Sequence, residues 1–284
     1  STPSTMLITR HLVQTIFIAS LFGALPVSSS ANSDSDALLL LATTTSTANS
    51  GLLDYLLPEF EKDSSTRVHY IAVGTGKALR LGKDGDVDVV LVHARSAEQK
   101  FIDSGFGIER FDVMYNDFVL VGPPTDPAKI ASSQSVFEAL DKIRKSQNTF
   151  ISRGDDSGTH KKELSLWKGI GYSPEGDWYK EVGQGMGKVI QIANELGAYT
   201  MTDRGTWLVY QSKSNLALLY QGDQPLFNPY GIIAVNPNRH SHINYSGAQS
   251  LIRWLTSSKG QQLIAEFKVQ GEQLFIPLSG QGGP

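Results

Sequence analysis

The sequence predicts an α/β fold of two lobes, each a sheet flanked by helices, with a ligand cleft between them. Three observations predict it. Short apolar runs alternate with amphipathic runs along most of the chain. The apolar runs lack the in-out polar alternation of a half-exposed strand, which points to parallel strands covered on both faces. Two turn-rich stretches interrupt the alternation, as expected where a chain crosses twice between lobes.

Taken in order, the chain opens on Arg10 and His11, an apolar run over 12–25, Pro26, and the small residues Ser28, Ser29, Ser30 and Ala31. A charged start, a short apolar centre and a small-residue exit predict a signal peptide over 1–31. The run is short of the roughly 20 residues that span a bilayer. Strands are expected over 38–42, 68–73 and 87–92. Between and after them, helices are expected over 51–60, through Ala78 and Leu79, and over 96–102. Leu52, Leu53, Leu56, Leu57 and Phe60 fall on one helical face. A strand over 117–121 runs into Gly122, Pro123, Pro124 and Pro127, the best linker in the chain. The alternation then restarts with a helix over 136–143, a strand over 149–153, helices over 159–167 and 186–196, and a strand over 198–202. Phe227-Asn228-Pro229-Tyr230-Gly231 reads as the second crossing, before a strand over 232–235 and helices over 247–255 and 259–267. The resulting division is an outer lobe of 32–122 and 231–284 and an inserted inner lobe of 123–230, with a hinge where they join.

Composition removes several classes of function. The 284 residues carry a formal net charge of -3, without the basic surplus of a protein that tracks nucleic acid. Cysteine is absent, which excludes disulfides, thiolate chemistry and lipid anchoring through an N-terminal Cys. Six scattered His residues make a zinc site unexpected. A secreted or periplasmic monomer without a cofactor is therefore expected. Asn244-Tyr245-Ser246 is a glycosylation sequon, a weak signal by itself.

Chemistry concentrates at four strand-to-helix turns: Thr43-Thr44-Thr45-Ser46, Gly74-Thr75-Gly76, the Arg153-to-His160 string, and Thr200-Met201-Thr202-Asp203-Arg204-Gly205-Thr206. The first amides of a helix lack intrahelical partners, and the helix dipole puts partial positive charge there, so an anion is stabilised without a full countercharge. Hydroxyls add donors and glycine permits close approach. Each turn alone also reads as an ordinary N-cap; four of them, two per lobe, point to an oxyanion site. The expected donors are Thr44, Thr45, Ser46, Thr75 and Gly76 from the outer lobe, and Arg153, Ser157, Gly158, Thr159 and Thr202 from the inner. Arg153 supplies the charged fork suited to an oxyanion, unless Asp155 or Asp156 takes it as a structural pair. Arg204 is a weaker candidate beside Asp203, and Lys161 and Lys162 read as a solvated helix face.

These residues carry a resemblance. The Leu41-to-Thr47 string with the helix from Gly51 to Pro58 resembles the extracellular tungstate-binding component of ABC transporters. So do Ala72-Val73-Gly74-Thr75-Gly76, Leu91-Val92-His93-Ala94, Met114-Tyr115-Asn116-Asp117-Phe118, the Arg153-to-His160 string, Tyr199 to Trp207, and Gly271-Glu272-Gln273-Leu274-Phe275. The resemblance implies a type II periplasmic-binding-protein fold, tungstate or more weakly molybdate as ligand, and a transporter permease as partner. It also implies that the Thr-Thr-Thr-Ser run and Thr75 bind from the outer lobe, and that Arg153 with Ser157-Gly158-Thr159 binds from the inner.

The string Arg153, Asp155, Ser157, Gly158, Thr159 also resembles the turn of phosphate-binding proteins, in which the Asp accepts the proton of hydrogen phosphate. Tungstate has no such proton, so an inward carboxylate would repel it. The direction of Asp155 therefore divides the two anions. A secreted oxyanion-binding protein without a transporter is a further reading. Catalysis is not expected, since Ser157 and His160 sit at a helix start, where Ser is used as a cap, and no Gly-x-Ser-x-Gly elbow occurs.

Overall fold

A computed structural model describes residues 37–279; the predicted signal peptide lies outside them. Strand β1 (Ala37–Thr44) leads through the short α1 (Thr45–Asn49) into α2 (Leu52–Asp63). There follow β2 (Thr66–Val73), α3 (Thr75–Asp84), β3 (Val89–Val92), α4 (Arg95–Asp103) and the long β4 (Gly107–Gly122). Next come α5 (Val136–Ser146), β5 (Phe150–Ser152), α6 (Gly158–Gly169), β6 (Tyr179–Glu181), α7 (Met186–Leu196), β7 (Tyr199–Asp203) and α8 (Arg204–Tyr210). The last part holds β8 (Ala217–Tyr220), β9 (Phe227–Val235), α9 (Tyr245–Thr256), α10 (Ser258–Glu266) and the short strands β10 (Lys268–Val269), β11 (Glu272–Gln273) and β12 (Ile276–Pro277).

The main sheet runs β2-β1-β3-β9-β4-β7-β5-β6, with β8 and β12 also on β4. Its two ends are parallel triplets, β2-β1-β3 and β7-β5-β6. Between them β9 and β4 run antiparallel to their neighbours, so the sheet is mixed rather than parallel throughout. The inner strands of both triplets, β1 and β3 at one end and β5 and β7 at the other, are largely buried on both faces, whereas the edge strands β2 and β6 are partly exposed. Val89 and Leu91 enter one core with Leu52, Leu56 and Phe60 of α2, while Val90 and Val92 enter another with Ala78 and Phe101. At the other end Leu120, Phe150 and Met201 face Leu140 and Trp167, and Val119, Val121 and Ile151 face Val189 and Ile190. Each such side chain contributes about 1.5–3 kcal/mol on burial.

Two sequence expectations need correction here. The strand read over 117–121 begins at Gly107, because Glu109, Arg110 and Asp112 interrupt the apolar pattern. Arg110 is nonetheless accommodated, bonding Glu98 Oε1 at 2.7 Å and Asp112. Phe227-Asn228-Pro229-Tyr230-Gly231 is not a linker but the first half of β9. Its turn-like residues fit a strand because the β4–β9 ladder already shifts register between Asp112 and Met114, opposite Gly231 and Tyr230. Gly231 is required there: a Cβ would collide with the Glu98 carboxylate and the Arg110 guanidinium. Asn244 of the sequon is occupied as the N-cap of α9 and donates Nδ2 to Leu38 O at 2.9 Å.

The strand β4 changes partner along its length. It pairs with β9 up to Asp117 and with β7 from Phe118 onward. The C-terminal end of β3 lies at Val92, opposite Gly231, which itself pairs with Asp112. The C-terminal end of β7 lies at Asp203, opposite Phe118. Because β3 and β7 run in opposite directions, both triplets aim their carboxyl ends at the 112–118 stretch of β4, roughly 20 Å of extended strand. The crevice outside strand carboxyl ends is where α/β sheets usually bind ligands.

Candidate anion-binding site

On the outer side, β1 and β2 bring two of the predicted turns together, with Thr44 in register with Val73. Thr44 is buried and caps α1, its Oγ1 accepting from Thr47 N at 3.4 Å. The same oxygen lies 2.7 Å from Thr47 Oγ1, 3.2 Å from Ser46 Oγ and 3.2 Å from His93 Nε2. Thr45 and Ser46 are exposed. The next turn leads into α3 from Gly74, which offers no side-chain cap, so the first amides of α3 are unclaimed by a side chain. Space beside Gly76 is open.

On the inner side, one loop from β5 to α6 holds Arg153, Ser157, Gly158 and Thr159. Gly154 and Asp156 take left-handed backbone, at φ 57° and 60°, to turn it. A side chain at Gly154 would strike Glu181. Arg153 donates from Nε at 3.2 Å and Nη2 at 2.7 Å to Asp155 Oδ2. Asp155 Oδ1 accepts from Ser157 N at 3.2 Å. Partial burial alone would raise the Asp155 pKa, but the bonds from Ser157 and Arg153 outweigh it and hold the carboxyl below its ordinary range. Ser157 Oγ caps α6 by accepting from His160 N, and His160 Nδ1 accepts from Asp156 N at 3.0 Å. Ser157 and His160 are thus engaged in shaping the loop. Behind it the buried Glu163 accepts from Trp167 Nε1 at 2.9 Å and from the Tyr179 hydroxyl.

Thr202 lies on β7 beside this loop, two residues beyond Thr200, the partner of Ile151. It is wholly buried and its hydroxyl donates to Asp203 O at 3.0 Å. Asp203 does not neutralise Arg204; it caps α8, accepting from Thr206 N and Oγ1. Arg204 instead forms a two-pronged pair with Asp117, 2.7 and 2.9 Å, at the point where β4 changes partner. Lys161 is exposed, but Lys162 is half-buried, and burial pushes its ammonium pKa down. It does not belong to a solvated face.

Sequence reasoning passed over two features. One is the polar group behind the outer turn. Asn228 donates to Asn116 Oδ1 at 2.8 Å, Asn116 donates to the Tyr230 hydroxyl at 3.2 Å, and the His93 ring packs 4.7 Å from the Tyr230 ring. His93, Asn116 and the Asn228–Tyr230 stretch lie in three separate segments; each segment was singled out by itself, but nothing local shows that they meet. The other is the turn Gly183-Gln184-Gly185-Met186 from β6 to α7, another helix start without a side-chain cap. Its Gly spacing could have flagged it.

The model of the PBP superfamily domain matches residues 27–259. The chain is 51% identical over 243 residues to the tungstate-binding protein TupA of Peptoclostridium acidaminophilum, covering 84% of this chain and 85% of that protein. It is 44% identical over 236 residues to TupA of Campylobacter jejuni, covering 81% and 87%. The solved structure of the tungstate-binding protein TupA from Desulfovibrio alaskensis superposes with a TM-score of 0.83 at 46% identity, covering 86% of this chain and 99% of that one.

Proposed function

This chain belongs to the PBP superfamily and, within it, to the family of the tungstate-binding proteins, and we propose that it closes on one tetrahedral oxyanion, tungstate first and molybdate next, for delivery to an ABC transporter. The observation that carries this reading is the convergence of two sets of strand ends on one stretch of β4. Each set presents hydroxyl-bearing or glycine turns ahead of helix starts. The donors are Thr45, Ser46, Thr75 and Gly76 with the Thr44 cap from one side, and Arg153, Ser157, Gly158 and Thr159 from the other. Thr202 would have to release its bond to Asp203 O to join them.

The outer lobe of 32–122 and 231–284 and the inner lobe of 123–230 are part of this proposal. The change of ladder partner at Asp117 and Phe118 supports the division, with the crossings made by the strands themselves. A monomer working outside the cytoplasm with a permease partner, binding without catalysis, completes the reading.

The pairing of Asp155 with Arg153 favours tungstate over hydrogen phosphate. A carboxylate held ionised by its own loop is a poor proton acceptor, whereas a dianion without protons asks only for donors. Calorimetric titration of the mature protein with tungstate, molybdate, sulfate and phosphate tests this. Tight tungstate binding and weak sulfate binding are expected. No heat with any oxyanion would sink the proposal, and a preference for phosphate would make Asp155 the proton acceptor.

A further inference from the structure

The loop between β5 and α6 contains two left-handed residues, Gly154 at φ 57° and Asp156 at φ 60°. Glycine adopts that backbone freely, whereas a residue with a Cβ meets steric resistance there, so Asp156 has to be held. Its amide donates to His160 Nδ1 at 3.0 Å, a bond that folds the loop back onto the first turn of α6. The amides that follow are sorted by similar bonds. Ser157 N donates to Asp155 Oδ1 at 3.2 Å and His160 N to Ser157 Oγ at 3.2 Å, while Asp155 Oδ2 accepts from Arg153. Gly158 N and Thr159 N have no hydrogen-bond partner among the described residues.

The donor fixes the direction of the His160 bond. A backbone amide can only donate, so Nδ1 carries a lone pair and the ring's single proton sits on Nε2. Nε2 is buried without a hydrogen bond among the described residues, and Glu181 Oε1 of β6 lies 3.8 Å from it. Glu181 also stands over Gly154, where an added Cβ would meet its own Cβ at 2.7 Å. One end of the imidazole thus holds the Asp156 amide, and the other lies beside the carboxylate that packs on the first left-handed residue. The His160 side chain is only 11% exposed, so little of the ring meets solvent.

We infer that His160 is a positioning residue of the anion site: by accepting the Asp156 amide at Nδ1 it holds the left-handed turn that leaves the Gly158 and Thr159 amides in place and unclaimed. Two consecutive amides at a helix start are donors for an oxyanion, and they serve only if the loop before them keeps one shape. Of the three amides held by side chains, those of Asp156, Ser157 and His160, only that of Asp156 reaches a side chain on the helix itself. The bonds run as one chain from Arg153 through Asp155, Ser157 and His160 back to Asp156. The arginine and the two open amides are therefore set by the same frame, and His160 closes it. This inference rests on the oxyanion reading for its purpose, but not for its geometry.

Nitrogen-15 NMR of the wild-type protein tests the ring directly: a proton on Nε2 and a bare Nδ1 at His160 are expected, and a proton on Nδ1 overturns the inference. Tungstate calorimetry then compares His160→Leu, which removes the acceptor, with His160→Asn, whose Oδ1 is attached to Cγ as Nδ1 is and can accept from the same amide. His160→Leu is expected to weaken tungstate binding about tenfold, the scale of one hydrogen bond, and to speed hydrogen exchange at the Asp156 amide. His160→Asn is expected to recover most of the affinity and of the protection. Each variant is measured well below its own thermal midpoint, so that a loosened fold is not read as lost binding. Unchanged affinity in His160→Leu, or equal loss in both variants, overturns the inference. A wild-type protein that binds no tungstate refutes the oxyanion reading instead, while the ring proton and the Asp156 exchange still decide the geometry.

Discussion

Arg153 rests on the carboxylate of Asp155, two residues along the same loop, with Nη2 2.7 Å from Oδ2 and Nε 3.2 Å from it. The pair is about one-fifth exposed on each side, so it is open to competition from a ligand. The guanidinium has a third nitrogen, Nη1, with no hydrogen-bond partner among the described residues. Asp155 therefore orients the arginine and leaves part of its fork unclaimed, as the proposed anion contact requires.

Replacing Arg153 with Gln is expected to weaken tungstate binding by about 1–3 kcal/mol, the range of a charge-assisted hydrogen bond. Calorimetry measures it directly. An unchanged dissociation constant would assign Arg153 to loop structure alone.

The Asp155→Asn variant separates the two anion chemistries. It removes a negative charge from the loop proposed to hold the anion while keeping an acceptor for Arg153. Tungstate affinity is expected to hold or improve. A loss greater than about tenfold, beyond what one neutral hydrogen bond supplies, would show that the carboxylate serves the ligand directly.

The buried Glu98–Arg110 pair leaves no room for a side chain at Gly231. Gly231→Ala is expected to destabilise the protein by about 2 kcal/mol or more, since it must either shift β9 or part a buried ion pair. Urea unfolding would report it, and a difference below about 0.5 kcal/mol, typical of a surface change, would contradict the packing described.

Much of this molecule was legible in sequence because its strands are short apolar runs and its helices carry clear stripes, as at Leu52, Leu53, Leu56, Leu57 and Phe60. The four strand-to-helix turns proposed to hold the anion were legible as turns, since strand end, hydroxyl or glycine, and helix start are contiguous. What stayed hidden depends on partners distant in the chain. The first half of β4 carries Arg110, whose buried partner Glu98 lies on another element. Phe227 to Gly231 has the composition of a turn and becomes a strand because β4 pairs with it along its length. His93 gains its meaning from Thr44 and Tyr230.

Glu163, buried behind the Arg153 loop, should give the protein a pH signature. Burial raises its pKa, although bonds from Ser152, Tyr179 and Trp167 pull the other way. A carboxyl whose folded pKa is raised favours folding most when protonated, below its unfolded pKa of about 4.3, and that contribution is lost as pH rises through the folded value. Glu163→Gln keeps a carbonyl to accept from Trp167 Nε1 and the Tyr179 hydroxyl but cannot ionise. Its stability relative to the wild type is therefore expected to rise between about pH 4 and pH 8. Thermal midpoints of both proteins across that range check the sign. Parallel curves would mean that the carboxylate is as well solvated by its hydrogen bonds as it is in the unfolded chain.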